Sequence, residues 1–245
     1  MATKSAIHGF TLIELAIVLF IITLLLGGVL TPLGQQIAER QTGESRRAME
    51  SARLALVGYA LRQADQAGPL PCPDVRAAST GDADNHASDG LEDRLADGKC
   101  AASTGNLPWK TLGLAEGDAW GNHLGYAVAA SWANAASGVS VASTGATDLL
   151  QICPDKSCAQ PMPAAAVVFS HGRNGFGANN LNDSRNLAPT SADEIENNND
   201  DHRFVMHPPR ATDRPGGEFD DLLLPISADW LRGRLCEPAS LCAGR

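Results

Sequence analysis

Apolar and polar positions divide the chain into three stretches. From Phe10 to Leu30 every residue is apolar or glycine except Thr11, Glu14 and Thr23. As a helix those 21 residues span roughly 30 Å, the thickness of a bilayer's hydrocarbon core. A membrane helix is therefore expected over 10–31. A cleaved secretory signal would need a shorter apolar run and an A-x-A site, and Gly27-Gly28-Val29-Leu30-Thr31-Pro32 offers none. The preceding leader, residues 1–9, carries Lys4 and no acid. The expected topology is single-pass in an inner membrane, with the N-terminus cytoplasmic and the rest periplasmic.

The second stretch, 32–67, alternates at helical spacing. Pro32 and Gly34 should bend or locally melt the helix. Beyond them, Leu54, Val57 and Leu61, with Ala48, Ala52, Ala55 and Ala60, make an amphipathic helix that Gly68-Pro69 ends. A helix unbroken from Phe10 to Gln66 is roughly 85 Å long by its rise per residue.

The third stretch, 68–245, reads as a head. Residues 77–97 are rich in Ala, Ser, Gly, Asp and Asn and form a long exposed loop ending near Cys100. A helical turn is expected over Trp109–Leu114. Strands are expected at Leu124–Ala130, Leu149–Cys153, Ala165–Ser170, Arg203–His207 and Leu222–Ile226, with a short helix over Ala228–Leu235. No βαβ alternation occurs, so the fold class is α+β: a long N-terminal helix packed on an antiparallel sheet with long loops.

Composition adds two constraints. The chain has 245 residues, net charge −9, 44% hydrophobic and only 5% aromatic residues. An acidic balance argues against a broad nucleic-acid surface, although Arg40, Arg46, Arg47 and Arg53 share one segment. That cluster fits a solvated helix face or a strip packed on acids better than a DNA site. Six cysteines beyond a membrane span lie in an oxidising compartment, where disulfides are the default. Sequential pairs are expected: Cys72–Cys100, Cys153–Cys158 and Cys236–Cys242. Zinc is the competing use, but the spacing matches no finger or ribbon.

Glu14 poses the chemical question, because a carboxylate inside hydrocarbon costs on the order of a few kcal/mol. It either snorkels to the interface or has a partner charge, which cleavage at Gly9–Phe10 would create as the α-amine of Phe10. Gly9-Phe10-Thr11-Leu12-Ile13-Glu14-Leu15, after a short basic leader, resembles the type IV pilin and type II secretion pseudopilin signal. The resemblance implies cleavage after Gly9 by a prepilin peptidase and N-methylation of Phe10. Glu14 would pair with a neighbouring subunit's N-terminus. Implied partners are other pilin or pseudopilin subunits through the N-terminal helix, the peptidase, an inner-membrane assembly platform and membrane lipid. The expected function is a structural subunit, minor pilin or pseudopilin. The alternative is a pilus-tip adhesin or DNA-uptake subunit on the same anchor.

Two further segments, "DAWGNHLGY" at 118–126 and "VVFSHGRNGFGANN" at 167–180, resemble segments of the major type II pseudopilins. In that family the second belongs to a calcium-stabilised loop. Calcium takes six to eight oxygens, and the acids that follow could supply some. Asp200 and Asp201 are the first candidates, Glu194 and Glu196 next, with Asn174 standing where the family has an acid. Ser170-His171 does not read as a hydrolase pair, since neighbours on a strand point to opposite faces. No G-x-S-x-G elbow, Walker loop or H-E-x-x-H is present, so an enzyme is not expected.

Overall fold

A computed structural model describes residues 11–62, 68–76, 87–134 and 148–236, with backbone alone for 26–33. The chain divides into two compact units, Met1–Gly43 and Glu44–Arg245. One helix, α1 (Leu12–Ala60), contributes to both.

In the first unit α1 opens on a reciprocal cap. The Thr11 hydroxyl accepts from the Glu14 N–H at 3.3 Å, and the Glu14 carboxylate accepts from the Thr11 N–H at 2.9 Å. Side chains from Leu12 to Leu25 are exposed, and Thr23 turns its hydroxyl back to the Leu19 and Phe20 carbonyls at 3.1 and 2.8 Å. Thr23 thus leaves no polar group seeking water. Among the described residues no helix is long and apolar enough to cross a membrane. The expected span, 10–31, extends beyond the residues whose side chains are described. The local melting expected at Pro32 and Gly34 does not occur, as helix continues through both. One lost hydrogen bond is a modest defect between long helical flanks.

In the second unit the predicted helix face holds at Ala52 and Ala60 and is corrected at its leucines. Ser45, Met49, Ala52, Leu56 and Ala60 are buried, whereas Leu54 is 64% and Leu61 41% exposed. The buried stripe mixes large and small residues at spacings of three and four, and it leaves Leu54 and Leu61 outside. Burying Met49 and Leu56 contributes about 1.5–3 kcal/mol each. They join Tyr126, Trp132, Leu231 and Leu235 in the larger apolar cluster. The helix also ends earlier than expected: Leu61 and Arg62 form a turn, and the Gly68 N–H reaches back to the Ala60 carbonyl at 2.8 Å.

The remaining elements are β1 (Thr104–Asn106), α2 (Trp109–Leu112), β2 (Gly125–Val128), α3 (Ala130–Ala133), β3 (Leu150–Cys153) and β4 (Met162–Ala164). They continue with β5 (Ala166–Ser170), α4 (Ala192–Asn197), β6 (Arg203–Val205), β7 (Leu222–Ile226) and α5 (Ala228–Leu235). Two sheets form rather than one. The first runs β1-β2-β5-β7, all antiparallel, and the second runs β4-β3-β6 with β3 and β6 parallel. A parallel pair needs a long crossover, and here it passes through β4, β5 and α4.

Strand β5 sits between the two apolar clusters, buried at all five positions. Ala166 and Val168 join the cluster shared with α1, while Val167 and Phe169 join Leu150, Ile152 and Phe204 of the second sheet. That two-sided burial explains its continuous apolar run. Gly125 pairs with Phe169, and a Cβ there would lie 2.3 Å from the phenyl ring.

The described part of the loop closed by Cys72–Cys100, residues 87–99, is less exposed than expected. Its Glu92 carboxylate accepts from the Tyr59 hydroxyl, the Cys72 N–H at 3.0 Å and Arg94 at 2.9 Å. Arg94 donates onward to the Leu70, Gly98 and Ala133 carbonyls at 3.2, 2.9 and 2.6 Å. Asp74 and Asp93 are buried beside it, and burial pushes the Asp74 carboxyl up to about 7. Cys153–Cys158 also forms. Cys242, and with it the third expected pair, lies outside the described residues, as do 77–86.

Candidate functional site

Two places in the chain concentrate chemistry. The first is the N-terminus. Gly9 and Phe10 lie outside the described residues. Glu14 does not stand alone in its helix, because Thr11 gives it two hydrogen bonds, the hydroxyl one at 2.8 Å. This is a capping box, T-x-x-E, two orphan donors of a helix start satisfied reciprocally. The signal was present in the sequence as Thr11-Leu12-Ile13-Glu14. Glu14 therefore has a local task that the charge argument alone overlooked.

The second place is an acidic knot where segments 118–126 and 167–180 meet. Asp118 accepts from the Trp120 and Asn122 N–H groups at 2.9 and 3.0 Å, which closes the turn before β2. Its other oxygen accepts the Ser170 hydroxyl at 2.6 Å, and Ser170 accepts the Gly172 N–H at 3.2 Å. Burial raises the Asp118 carboxyl despite these donors. The two segments thus form one hydrogen-bonded corner at the end of β5. Gly172 turns it at φ 65°, where a Cβ would lie 2.3 Å from the Asp220 carbonyl oxygen.

Beyond the corner, carboxylate oxygens of Glu194, Asp220 and Asp221 lie within 4.8 Å of one another. Glu194 comes from α4, which Ser191 caps by accepting the Glu194 N–H at 3.3 Å. Asp220 and Asp221 lead into β7. The Glu194 carboxylate accepts from the Asn174 amide at 3.0 Å and the Asp220 N–H at 3.2 Å. Asp220 accepts the Asn174 N–H at 2.9 Å, and Asp221 accepts the Asn197 amide at 2.8 Å. Asn197 is itself shared with the Val205 N–H at 2.7 Å, which ties β6 to this corner.

Electrostatically the knot is under-compensated. No arginine or lysine pairs with its three carboxylates among the described residues. Burial pushes Glu194 up, Asp220 up to about 6 and Asp221 well above the usual range, with added repulsion from Glu218 at Glu194, from Glu194 and Glu218 at Asp220, and from Glu194 and Asp220 at Asp221. His171 approaches Asp221 at 3.9 Å but is fully enclosed, and burial holds it down to about 3, so it stays neutral. One Asp220 oxygen is buried without a hydrogen-bond partner. A hard-oxygen donor set with an orphaned carboxylate oxygen and no counter-charge fits a cation such as calcium.

Of the five residues expected at a metal, Glu194 and Asn174 join this knot. Asp200 pairs with Arg76 at 2.8 Å. Asp201 accepts the Arg203 N–H at 2.6 Å and an Asn199 amide bond at 3.0 Å. Glu196 faces Arg203 at 3.4 Å. Asp201 and Glu196 are engaged with donors near them in sequence, and Asp200 with Arg76 from a distant part of the chain. Asp220 and Asp221, which join instead, follow Glu218-Phe219 just before an apolar run. Only tertiary structure brings them to α4.

Residues 4–30 match the family model described as the prokaryotic N-terminal methylation motif, the signal of type IV pilins and pseudopilins. No curated protein and no solved structure matches the chain.

Proposed function

We propose that the protein is a structural subunit, a minor pilin or pseudopilin, of a type IV pilus or a type II secretion pseudopilus. The observation that carries this reading is the methylation motif at residues 4–30, with Glu14 fixed within it at the helix start. Prepilin peptidase cuts between Gly9 and Phe10, Phe10 is N-methylated, and the apolar part of α1 holds the chain in the inner membrane until assembly. The head faces the periplasm, where the two disulfides of the described residues are at home. N-terminal mass mapping of the assembled protein tests it. A chain beginning at N-methyl-Phe10 is expected, and one beginning at Met1 or Ala2 overturns the reading. Gly9→Val is expected to leave an uncut precursor in the membrane.

The acidic knot serves this subunit as a calcium clamp. Glu194, Asp220 and Asp221 would hold the ion, with Asn174 and Asn197 orienting the carboxylates. The ion supplies the positive charge that the site lacks and joins α4 to β7. Saturating calcium, at about a hundredfold over Kd, is expected to stabilise the detergent-solubilised chain by about 2.7 kcal/mol, and chelator to remove the gain. Asp220→Asn is expected to raise Tm in chelator, by relieving repulsion, and to lose the calcium response. A Tm indifferent to both chelator and calcium removes the ion from the account.

A further inference from the structure

The turn at 180–187 is built more rigidly than a solvated loop requires. Asn180 donates its N–H to the Ser184 carbonyl at 2.8 Å and its amide to Asn186 at 2.6 Å. The Ser184 hydroxyl donates to Asn182 at 2.6 Å, and the Asn186 amide donates to Asn122 and the Gly175 carbonyl at 3.1 and 2.8 Å. What this scaffold presents is apolar. Leu181 is 41% and Leu187 78% exposed, the latter the highest value for a large apolar side chain among the described residues of the second unit. Pre-ordering side chains before contact lowers the entropic cost of binding. A fixed turn carrying leucines at both ends is such a device.

A groove of about 460 Å³ lies between α1 and the β6–β7 region of the same unit. Met49, Met206, Pro208, Leu222 and Leu224 line it, and methionines adapt their shape to what enters. Its helix side carries Arg46 and Glu50. Arg46 is exposed and has no partner among the described residues. The turn carries the matching signs: the Asp183 side chain is 70% exposed and Arg185 is exposed. We infer that the Leu181–Leu187 turn of one copy of this chain seats in the α1–β7 groove of the next copy, with Asp183 toward Arg46. Knob and groove are different patches of one surface, so the contact is heterologous. Repetition of such a contact generates a ring or an open helix rather than a closed dimer, and the filament reading selects the helix. The inference rests on the filament reading above and gives the heads a contact additional to the helices.

Site-specific photo-crosslinking tests it on the full chain in its own membrane. A benzoylphenylalanine at position 187 is expected to give a product of twice the subunit mass, with crosslinked peptides from 46–50, 206–209 or 222–224. Arg46→Asp is expected to lower the yield about tenfold, and Asp183→Arg added to it to restore most of the loss. Crosslinks only to lipid or to a different protein, or a yield indifferent to Arg46→Asp, overturn the docking. A chain found in sheared fibres without the crosslink overturns the docking and leaves the proposed function standing. A crosslinked pair in membranes of cells whose fibres never contain the chain does the reverse.

Discussion

Glu14→Gln is expected to be inserted and cleaved normally yet to be nearly absent from fibres. Glutamine removes the charge but keeps the local geometry, because it serves at the third position of a capping box as glutamate does. The Thr11–Glu14 hydrogen bonds therefore have a substitute, and the Gly9–Phe10 junction is untouched. What glutamine cannot offer is a counter-charge to the Phe10 α-amine of a neighbouring subunit in a low-dielectric filament core. An unpaired charge there costs on the order of a few kcal/mol. At about 1.4 kcal/mol per decade, incorporation is expected to fall roughly 100-fold. Glu14→Ala loses both charge and cap and should do no better. The measurement is the ratio of variant in sheared fibres to variant in the inner membrane, with cleavage checked by mass. Normal incorporation of Glu14→Gln beside failure of Glu14→Ala would assign the residue to capping alone and remove the pairing argument.

Removing Cys72 and Cys100 together, as alanines, is expected to cost far more than removing Cys153 and Cys158. The first bridge spans a sequence separation of 28 and the second only 5. Loop-closure entropy assigns them about 3.5 and about 2 kcal/mol respectively. For a head of this size the first corresponds to a fall in Tm of roughly 10 °C. The difference should widen in practice, because Cys72 is fully buried and its N–H holds Glu92, the centre of the Tyr59–Glu92–Arg94 network. Thermal melts of both alanine pairs under non-reducing conditions check it. Equal losses from the two pairs would mean that loop length is not what these bridges contribute.

What the sequence disclosed follows from burial. Runs such as Leu149–Cys153, Ala165–Ser170 and Leu222–Ile226 read as strands because β3, β5 and β7 carry the inner faces of two apolar clusters. β1 (Thr-Gly-Asn) and β4 (Met-Pro-Ala) gave no such signal: three residues each, with little apolar area, they exist because a neighbour strand recruits them. Helix α4 has a local start signal, Ser191 three residues before Glu194, but the run after it is polar and too short to show an apolar face. The parallel pairing of β3 with β6 has no local signature at all. The predicted face of α1 holds at Ala52 and Ala60 and fails at Leu54 and Leu61, because a count of apolar spacing does not tell which leucine, 54 or 56, the core takes. The site divides the same way. Asn174 and Glu194 stood out as polar residues in a glycine-rich or acidic context, while Asp200 and Asp201 looked better still and proved to be engaged elsewhere. Asp220 and Asp221 depend on β7 reaching β5 across a separation that no spacing rule encodes.

That last pairing also governs the order of events during biogenesis. β5 meets β7 in register from Ala166↔Ile226 to Ser170↔Leu222, so in the proposed topology the central strand keeps one edge open until residues 222–226 have crossed the membrane. Contacts of such sequence separation form late and slowly. Through that interval α1 has already emerged, with Met49 and Leu56 bare and α5 not yet available to cover them. On the proposed reading the membrane anchor therefore does service before any fibre exists. It would confine each half-finished head to a bilayer surface at low density, where an open strand edge meets few others and aggregation has little chance to compete.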